Sequence, residues 1–156
     1  MSPTSEPTQT ASPGKRVEPS GGQMVAYADG ASRGNPGPSS LGAVLYDEAG
    51  NELHRVSRAL GHATNNQAEY QAAIAALEAA LGLGARRLEL RMDSELVVRQ
   101  LSGRYKVRNP KLIPLHKRIL ALRGRFQRLT LQHVPREQNR VADGLANEAL
   151  DRAGAP

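Results

Sequence analysis

The fold is decided by residues 24–60, which read MVAYADGASRGNPGPSSLGAVLYDEAGNELHRVSRAL. Apolar or alternating runs separated by turn-forming residues predict three strands here, at residues 24–28, 41–46 and about 52–60. The first run is nearly all apolar and ends at Asp29, so we predict a strand that is buried on both faces. Three strands joined by short turns predict an antiparallel meander.

Beyond the meander, helical and strand patterns alternate. We predict a helix capped by Asn65 or Asn66, a strand at 87–92, a short helix opened by Ser94, a helix opened by Asn109-Pro110, a strand at 126–134 and a last helix capped by Asn139. Pro114 removes an early backbone hydrogen bond, so the third of these helices either begins later or has a bent first turn. The order predicts an α/β fold: a five-stranded mixed sheet, an antiparallel meander plus parallel strands, with helices on both faces.

The 156 residues suffice for one domain with its own core. Residues 1–22 are rich in Ser, Pro, Thr and Gly and predict a disordered leader, followed by one folded domain at 23–152 and a tail at 153–156. No run approaches the roughly 18 apolar residues of a membrane span, and no secretory signal is evident. The chain has no Cys, which excludes disulfides and thiolate metal sites, and we expect a cytoplasmic monomer.

The formal net charge is +6 and the sequence pI is about 10.2. The leader carries two acids and two bases, so the excess positive charge belongs to the folded part. A basic domain favours a polyanionic partner, and nucleic acid is the first candidate. Charge alone leaves an ordinary Lys/Arg-rich surface equally open.

Four carboxylates stand next to positions that the apolar pattern assigns to the core. Asp29 and Asp93 end predicted strands, whereas Glu69 and Asp143 lie on the apolar faces of two predicted helices. An acid beside core surface is unfavourable unless it is paired or binds a metal. Strands that follow one another through a helix run parallel, so their carboxyl ends share one edge of the sheet. Glu69 and Asp143, near the starts of their helices, can lie along that edge.

Converging carboxylates repel one another unless cations neutralise them. Hard oxygen ligands without Cys favour Mg²⁺ or Mn²⁺. Two such ions about 3.5–4 Å apart suit an in-line attack on phosphate, because one lowers the pKa of the attacking water and the other stabilises the leaving 3′ oxygen. Each acid alone is an ordinary strand end or helix cap, but the four together on a basic domain favour this chemistry.

Four motifs in this chain resemble, in order, those of the type 1 ribonuclease H family. They are Ala28–Asp29–Gly30–Ala31–Ser32 with Gly34–Asn35–Pro36–Gly37, then Thr64–Asn65–Asn66–Gln67–Ala68–Glu69–Tyr70, then Met92–Asp93–Ser94, and last Val134–Pro135–Arg136–Glu137–Gln138–Asn139 with Ala142–Asp143. The resemblance covers about residues 24–150 and implies an endonuclease that cuts the RNA strand of an RNA–DNA hybrid with little sequence preference. Some relatives also cut double-stranded RNA, which leaves that substrate open.

The resemblance also implies roles for individual residues. The catalytic metal ligands, for two Mg²⁺ ions that Mn²⁺ can replace, would be Asp29, Glu69, Asp93 and Asp143. Contacts to the RNA minor groove would come from Gly30, Ser32, Asn35, Asn65 and Ser94, and a DNA-phosphate pocket from Thr64 and Asn109. Reading the 2′-hydroxyl is how a protein distinguishes RNA from DNA.

The chain departs from the family in a loop. Many relatives carry an extra helix and a Lys/Trp-rich basic protrusion after the third motif, but here residues 102–108 are all that separate Leu101 from Asn109. Tyr105 is the candidate for stacking on a DNA sugar or base, because the chain has no Trp. Its basic neighbours Arg104, Lys106 and Arg108 either replace part of the lost charge or form a solvated loop.

A second departure concerns the His that helps product leave in many relatives. His133 matches that residue in spacing, yet it continues the alternation of the fifth strand. Arg136 lies in the turn itself and can hold a phosphate but cannot relay protons. Both stay candidates, and we favour Arg136.

Two other functions are consistent with part of this pattern. Another nuclease of the same superfamily would use similar acids, but the Thr64–Glu69 run argues against it. A non-catalytic hybrid-binding module would lack an acid, and all four are present.

Overall fold

The structure, a computed structural model, describes residues 22–156, so the predicted leader lies outside the described residues apart from Gly22. The strands are β1 (Gln23–Ser32), β2 (Gly37–Asp47), β3 (Glu52–Ala63), β4 (Arg87–Met92) and β5 (Arg128–His133). The helices are α1 (Asn65–Gly82), α2 (Glu95–Leu101), α3 (Ile113–Arg123) and α4 (Arg140–Arg152), with a 3-10 turn at Arg136–Gln138. No helix within 22–156 is long and apolar enough to cross a membrane.

The five strands form one mixed sheet in the order β3-β2-β1-β4-β5. β1 pairs antiparallel with β2, and β2 pairs antiparallel with β3, which confirms the predicted meander. β4 lies parallel to β1 and β5 parallel to β4, as expected for strands connected through helices. The predicted α/β architecture is confirmed, and β1 lies at the centre of the sheet.

Helices cover both faces of the sheet, and two glycines allow their close approach. A Cβ atom on Gly30 would lie 2.7 Å from the carbonyl oxygen of Ala68 in α1. A Cβ atom on Gly42 would lie 2.6 Å from the backbone nitrogen of Ala146 in α4. Gly42 pairs with Asp29, so these two residues face the same side of the sheet. Gly30 follows Asp29 along β1 and therefore faces the opposite side. α1 and α4 therefore pack directly on the strand backbone, one on each face.

α1 is the central helix of the core and is buried around most of its circumference rather than along one stripe. The sheet covers one side of α1, while α2 and α3 pack against others. Small side chains make this packing possible, since the buried residues are mostly alanine: Ala68, Tyr70, Ala72, Ala73, Ile74, Ala75, Ala76, Leu77 and Ala80. The Tyr70 hydroxyl donates to Gln100 Oε1 at 2.6 Å, and burial raises the pKa of Tyr70 to about 12.

The prediction that β1 is buried on both faces is wrong, because burial alternates along the strand. Met24, Ala26 and Ala28 are buried on the face that α1 covers. Val25 and Tyr27 are half-buried, because they border an open cavity of about 390 Å³ beside the start of α4. The short α4 therefore leaves part of its face of the sheet uncovered.

The meander strands are longer than predicted, and Asp29 lies within β1 instead of ending it. β1 runs on to Ser32 because residues 30–32 continue to pair with residues 39–41 of β2. β2 begins at Gly37 and β3 ends at Ala63, and these two residues also pair. Most residues at this end of the sheet are small or polar, so the hydrophobic pattern does not reveal it.

The predicted caps of α1 are wrong. Thr64 is the N-cap, with Oγ1 accepting from the Gln67 backbone nitrogen at 3.1 Å. Gln67 Oε1 in turn accepts from the Thr64 backbone nitrogen at 2.8 Å. This reciprocal capping box satisfies two donors at once.

Of the two alternatives predicted for the start of α3, the later start is confirmed, and Asn109 is not the N-cap. Asn109 closes a separate turn in which its Oδ1 accepts from the Lys111 backbone nitrogen at 2.9 Å. α3 then begins at Ile113, after Leu112. Pro114 thus falls in the first turn, where its missing N–H has no helical partner to lose.

Candidate active site

Two acids lie side by side because β1 and β4 are parallel and in register. Tyr27 and Arg91 form the last pair of the β1–β4 ladder. Asp29 follows Tyr27 by two residues, and Asp93 follows Arg91 by two residues. Asp29 is buried, with 7% relative exposure, whereas Asp93 comes directly after β4 and is half-buried. The register therefore sets these two carboxylates at the same edge of the sheet.

α1 adds a third carboxylate to this edge. Glu69 lies in the second turn of α1, next to Ala68, whose backbone packs on Gly30. Carboxylate oxygens of Asp29, Glu69 and Asp93 lie within 4.8 Å of one another. These three acids, which we call the acid cluster, come from three separate elements and meet only in the folded chain.

The fourth acid lies at the margin of the acid cluster. Asp143, in the first turn of α4, shares a side-chain hydrogen bond with Asp29. Its carboxylate is held by Asn147 one turn later, whose Nδ2 donates to Asp143 Oδ1 at 3.3 Å. The structure thus places all four predicted acids at one edge of the sheet.

Burial and mutual repulsion make the acid cluster hard to ionise. Burial, with the charge of Asp93 next and then the hydrogen bond to Asp143, raises the pKa of Asp29 from 3.8 to about 9. Burial and the charge of Asp93 raise the pKa of Glu69 from 4.5 to about 7, against a hydrogen bond from Ser94 that lowers it. Carboxylates that resist ionisation this strongly are typical of functional sites.

The donor set fits hard divalent cations. Three carboxylates offer oxygen ligands within 4.8 Å of one another, and a fourth adjoins them. Mg²⁺ and Mn²⁺ prefer such ligands. A cation would also offset the burial and the repulsion that raise the pKa values of Asp29 and Glu69, so ion binding and carboxyl ionisation favour each other.

The raised pKa values predict an unusual pH dependence of stability without metal. A carboxyl group whose pKa is raised on folding binds its proton more tightly in the folded state than in the unfolded state. Its contribution to the free energy of unfolding is therefore complete at pH values below its ordinary pKa and is lost as pH rises toward the raised pKa. The contribution of Glu69 is lost through about pH 7 and that of Asp29 through about pH 9. We expect the free energy of unfolding in EDTA to fall from pH 6 to 9, each group contributing at most about 1.4 kcal/mol per pH unit.

Urea denaturation at several pH values, with EDTA or with Mg²⁺, measures this slope. Mg²⁺ should raise stability most at pH 8–9, where it replaces protons on the acid cluster. The Asp29→Asn variant serves as the control and should lose most of the slope above pH 7. A wild-type stability in EDTA that is constant or rises over this range would contradict the prediction.

Residues predicted to bind the hybrid gather where the β1–β2 turn meets the start of α1. Five of them lie there: Gly30, Ser32, Asn35, Thr64 and Asn65. Asn35 Oδ1 accepts from the Asn65 backbone nitrogen at 3.1 Å, and the peptide bond between Asn35 and Pro36 is cis. Ser32 Oγ donates to the Ala63 carbonyl at 3.3 Å. A sixth, Ser94, adjoins the acid cluster through its hydrogen bond to Glu69.

The segment between α2 and α3 is short, residues 102–112, and carries no additional helix. Tyr105 in this loop is 45% exposed. The guanidinium of Arg99 lies 5.5 Å from the centre of the Tyr105 ring and donates to its hydroxyl at 3.2 Å. Arg99 itself pairs with Glu95. The tyrosine ring is thus held against α2, and its stacking role stays a prediction.

The two candidates for assisting product release lie in different places. His133 is the last residue of β5 and borders a surface pocket together with Glu95 and Arg99 of α2. Arg136, in the 3-10 turn, borders a pocket that Asp143 also lines. Arg136 is therefore the candidate that adjoins one of the four acids.

Sequence reasoning missed two amides that hold the acids. Asn147 follows Asp143 by four residues on α4, a spacing that could have indicated the contact. Asn139 starts α4 as predicted, but its side chain forms no cap hydrogen bond. It turns inward to Asp93 instead, and no pattern in the sequence distinguishes this orientation from a cap.

Comparison with known proteins yields consistent matches. The reverse transcriptase-like family matches residues 27–149. Ribonuclease HI of Halobacterium salinarum is 50% identical over 133 residues, covering 85% of this chain and 67% of that protein. A similar solved structure is the crystal structure of LC11-RNase H1, a protein isolated from compost, in complex with an RNA/DNA hybrid. Its TM-score is 0.81 at 45% sequence identity, and the match covers 85% of this chain and 99% of that chain.

One group of relatives is much longer than this chain. The bifunctional protein Rv2228c of Mycobacterium tuberculosis is 47% identical over 132 residues, which cover 84% of this chain but 36% of that protein. The region that matches the family includes all four acids at the sheet edge.

Proposed function

Because the chain belongs to the type 1 ribonuclease H family, we propose that it is an endonuclease that hydrolyses the RNA strand of RNA–DNA hybrids. Its loop between α2 and α3 assigns it to the branch without the basic protrusion. The observation that carries the proposal is the acid cluster, with carboxylate oxygens within 4.8 Å of one another at one edge of the sheet. An RNA/DNA hybrid bound to a relative of the same fold supports the substrate.

Asp29, Glu69, Asp93 and Asp143 would hold two Mg²⁺ ions, which Mn²⁺ can replace. Such ions would supply a nucleophilic water at neutral pH and stabilise charge on the leaving 3′ oxygen, so that cleavage would leave 5′-phosphate ends. The chain's own contribution is to fix the acids: Ser94 hydrogen-bonds Glu69, Asn147 holds Asp143, and the β1–β4 register aligns the other two.

Selection of the hybrid falls to the rim beside the acids. The β1–β2 turn and the start of α1 are tied by the hydrogen bond from the Asn65 backbone to Asn35, and this rim would contact the RNA minor groove and its 2′-hydroxyls. Thr64 and Asn109 would bind a DNA phosphate, and Tyr105 would stack on the DNA strand. Contacts of these kinds carry no sequence information, so cleavage should be largely independent of sequence.

Release of product would involve Arg136, because it shares a pocket with Asp143. A guanidinium there can hold the cleaved phosphate without relaying a proton. His133 stays the second candidate. Cytoplasmic location, a monomeric state and activity on double-stranded RNA stay predictions.

A cleavage assay on end-labelled substrates tests the function. RNA–DNA hybrid, single-stranded RNA, double-stranded RNA and duplex DNA are each incubated with Mg²⁺, Mn²⁺ or EDTA. We expect internal cuts in the RNA of the hybrid at the highest rate, with either ion and not in EDTA. Rapid cutting of duplex DNA would favour another nuclease of the superfamily, and binding without cutting would favour a hybrid-binding module.

A further inference from the structure

Asn139 lies at the junction of the three elements that carry Asp29, Asp93 and Asp143. It is buried, with 1% relative exposure, and its backbone starts α4. Its Nδ2 donates to the carbonyl of Ala28 in β1 at 3.0 Å and to Asp93 Oδ2 at 3.3 Å. One side-chain amide thus connects the residue before Asp29, the carboxylate of Asp93 and the helix of Asp143.

In this orientation Asn139 lacks the hydrogen bond that the side-chain oxygen of an asparagine at a helix start normally accepts. The side chain does not cap α4, although Asn is among the preferred residues there. Within residues 22–156, its buried Oδ1 has no hydrogen-bond partner. A buried polar atom left in this state is uncommon and requires an explanation. The two acceptors, the Ala28 carbonyl in β1 and Asp93 directly after β4, supply one, because both accept from the amide NH₂ group.

We propose that Asn139 is a positioning residue that orients Asp93 for a divalent cation and sets the distance of Asp93 from Asp29 and Asp143. The proposal rests on the function proposed above. Its chemistry suits the task, because a neutral donor fixes one carboxylate oxygen without cancelling the negative charge that attracts the ion. A Lys or Arg at this position would fix Asp93 equally well but would compete with the cation.

Loss of such a supporting hydrogen bond weakens metal binding by roughly 10- to 100-fold in well-studied metal sites. We therefore expect Asn139→Leu, which keeps the branched shape of the side chain, and Asn139→Ala to bind Mn²⁺ at least about 10-fold more weakly than wild type. Titration of the folded, metal-free proteins with Mn²⁺, followed by electron paramagnetic resonance, measures this affinity. The rise in Tm caused by a fixed Mn²⁺ concentration should shrink in parallel.

Ser40→Ala is the matched control. Ser40 is fully buried, and its Oγ donates to the Ala146 carbonyl of α4 at 2.5 Å, so it ties the same helix to the sheet without touching an acid. We expect Ser40→Ala to lower Tm while its Mn²⁺ affinity stays within about twofold of wild type. Equal weakening of Mn²⁺ binding in Ser40→Ala and the Asn139 variants would overturn the proposal, because it would reduce Asn139 to a general structural role.

A measurement on the wild-type chain avoids dependence on how the variants fold. The side-chain amide NMR signals of Asn139 should shift as Mg²⁺ is added. Those of Asn51, whose Nδ2 donates to Asp47 in the β2–β3 turn at 3.1 Å, should not. Unshifted Asn139 signals in protein that binds Mg²⁺, or wild-type Mn²⁺ affinity in a folded Asn139→Leu, would overturn the positioning role. Wild-type protein that binds neither ion would instead overturn the proposed function.

Discussion

Replacing Asp29 by asparagine should lower hybrid cleavage by at least about 10³-fold, which corresponds to roughly 4 kcal/mol at 1.36 kcal/mol per tenfold. Asp29 is the acid that the others surround: its oxygens lie within 4.8 Å of those of Glu69 and Asp93, and it hydrogen-bonds Asp143. Asparagine keeps the shape but removes the charge that would hold a cation. Binding of the hybrid should persist, because the proposed hybrid contacts lie on other residues.

The same variant should fold at least as well as wild type at neutral pH. Burial and neighbouring charges raise the pKa of Asp29 to about 9, so without metal its carboxyl group is mostly protonated at pH 7. Asparagine resembles that neutral form. Because Asp29 ionises in the unfolded chain and asparagine does not, we expect the variant to be more stable than wild type in EDTA at pH 7, with the difference growing up to about pH 9, as measured by urea denaturation.

Asp47→Asn provides a control for loss of a carboxylate elsewhere. Asp47 accepts hydrogen bonds from Asn51 and the Ala49 backbone in the β2–β3 turn, and these lower its pKa. Its replacement should reduce stability without slowing cleavage by more than about twofold. If Asp29→Asn still cleaved the hybrid, Asp29 would not belong to the metal site. If the variant lost its binding to the hybrid as well as its cleavage, the substitution would do more than delete a metal ligand.

The strand–helix order could be predicted from the sequence because local patterns specify it. Hydrophobic alternation at 87–92 identified β4 to the residue, and with it the position of Asp93. The sequence pattern predicts that β1 ends at Asp29 because Gly30, Ala31 and Ser32 are small and weakly hydrophobic. They are held in the sheet by their pairing with β2, a tertiary interaction that a hydrophobic pattern does not report.

The acids of the site could be singled out in sequence because carboxylates beside core residues are unfavourable unless something compensates for them. The amides that hold them could not. Asn139 is equally suited to capping α4 and to bridging β1 and β4, and only the folded arrangement decides between the two. The reciprocal cap of α1 is visible in the sequence as Thr64 followed three residues later by Gln67. Asn65 and Asn66 stand between them, and because Asn is itself a preferred N-cap, the sequence favours the wrong residues.

Replacing Gly30 by alanine should damage fold and function together. Its Cβ atom would lie 2.7 Å from the Ala68 carbonyl oxygen and closer still to the Glu69 backbone nitrogen, so α1 or β1 has to move. Overpacking a rigid contact of this kind costs about 1–3 kcal/mol of stability and occasionally more. The movement displaces Glu69 from Asp29 and Asp93, and a 1 Å misplacement at a catalytic site can lower the rate about 10²-fold.

Gly144→Ala is the matched substitution for Gly30→Ala. Gly144 follows Asp143 within α4, and a Cβ atom there would meet nothing within 4 Å. Because alanine favours the helix interior, this variant should gain roughly 1 kcal/mol of stability and keep its cleavage rate. Denaturation and single-turnover cleavage of both variants separate the two effects. If Gly30→Ala matched wild type in stability and rate, then close packing of α1 on β1 would not be what positions Glu69, and the hydrogen bond from Ser94 would be left to hold Glu69 beside Asp29 and Asp93.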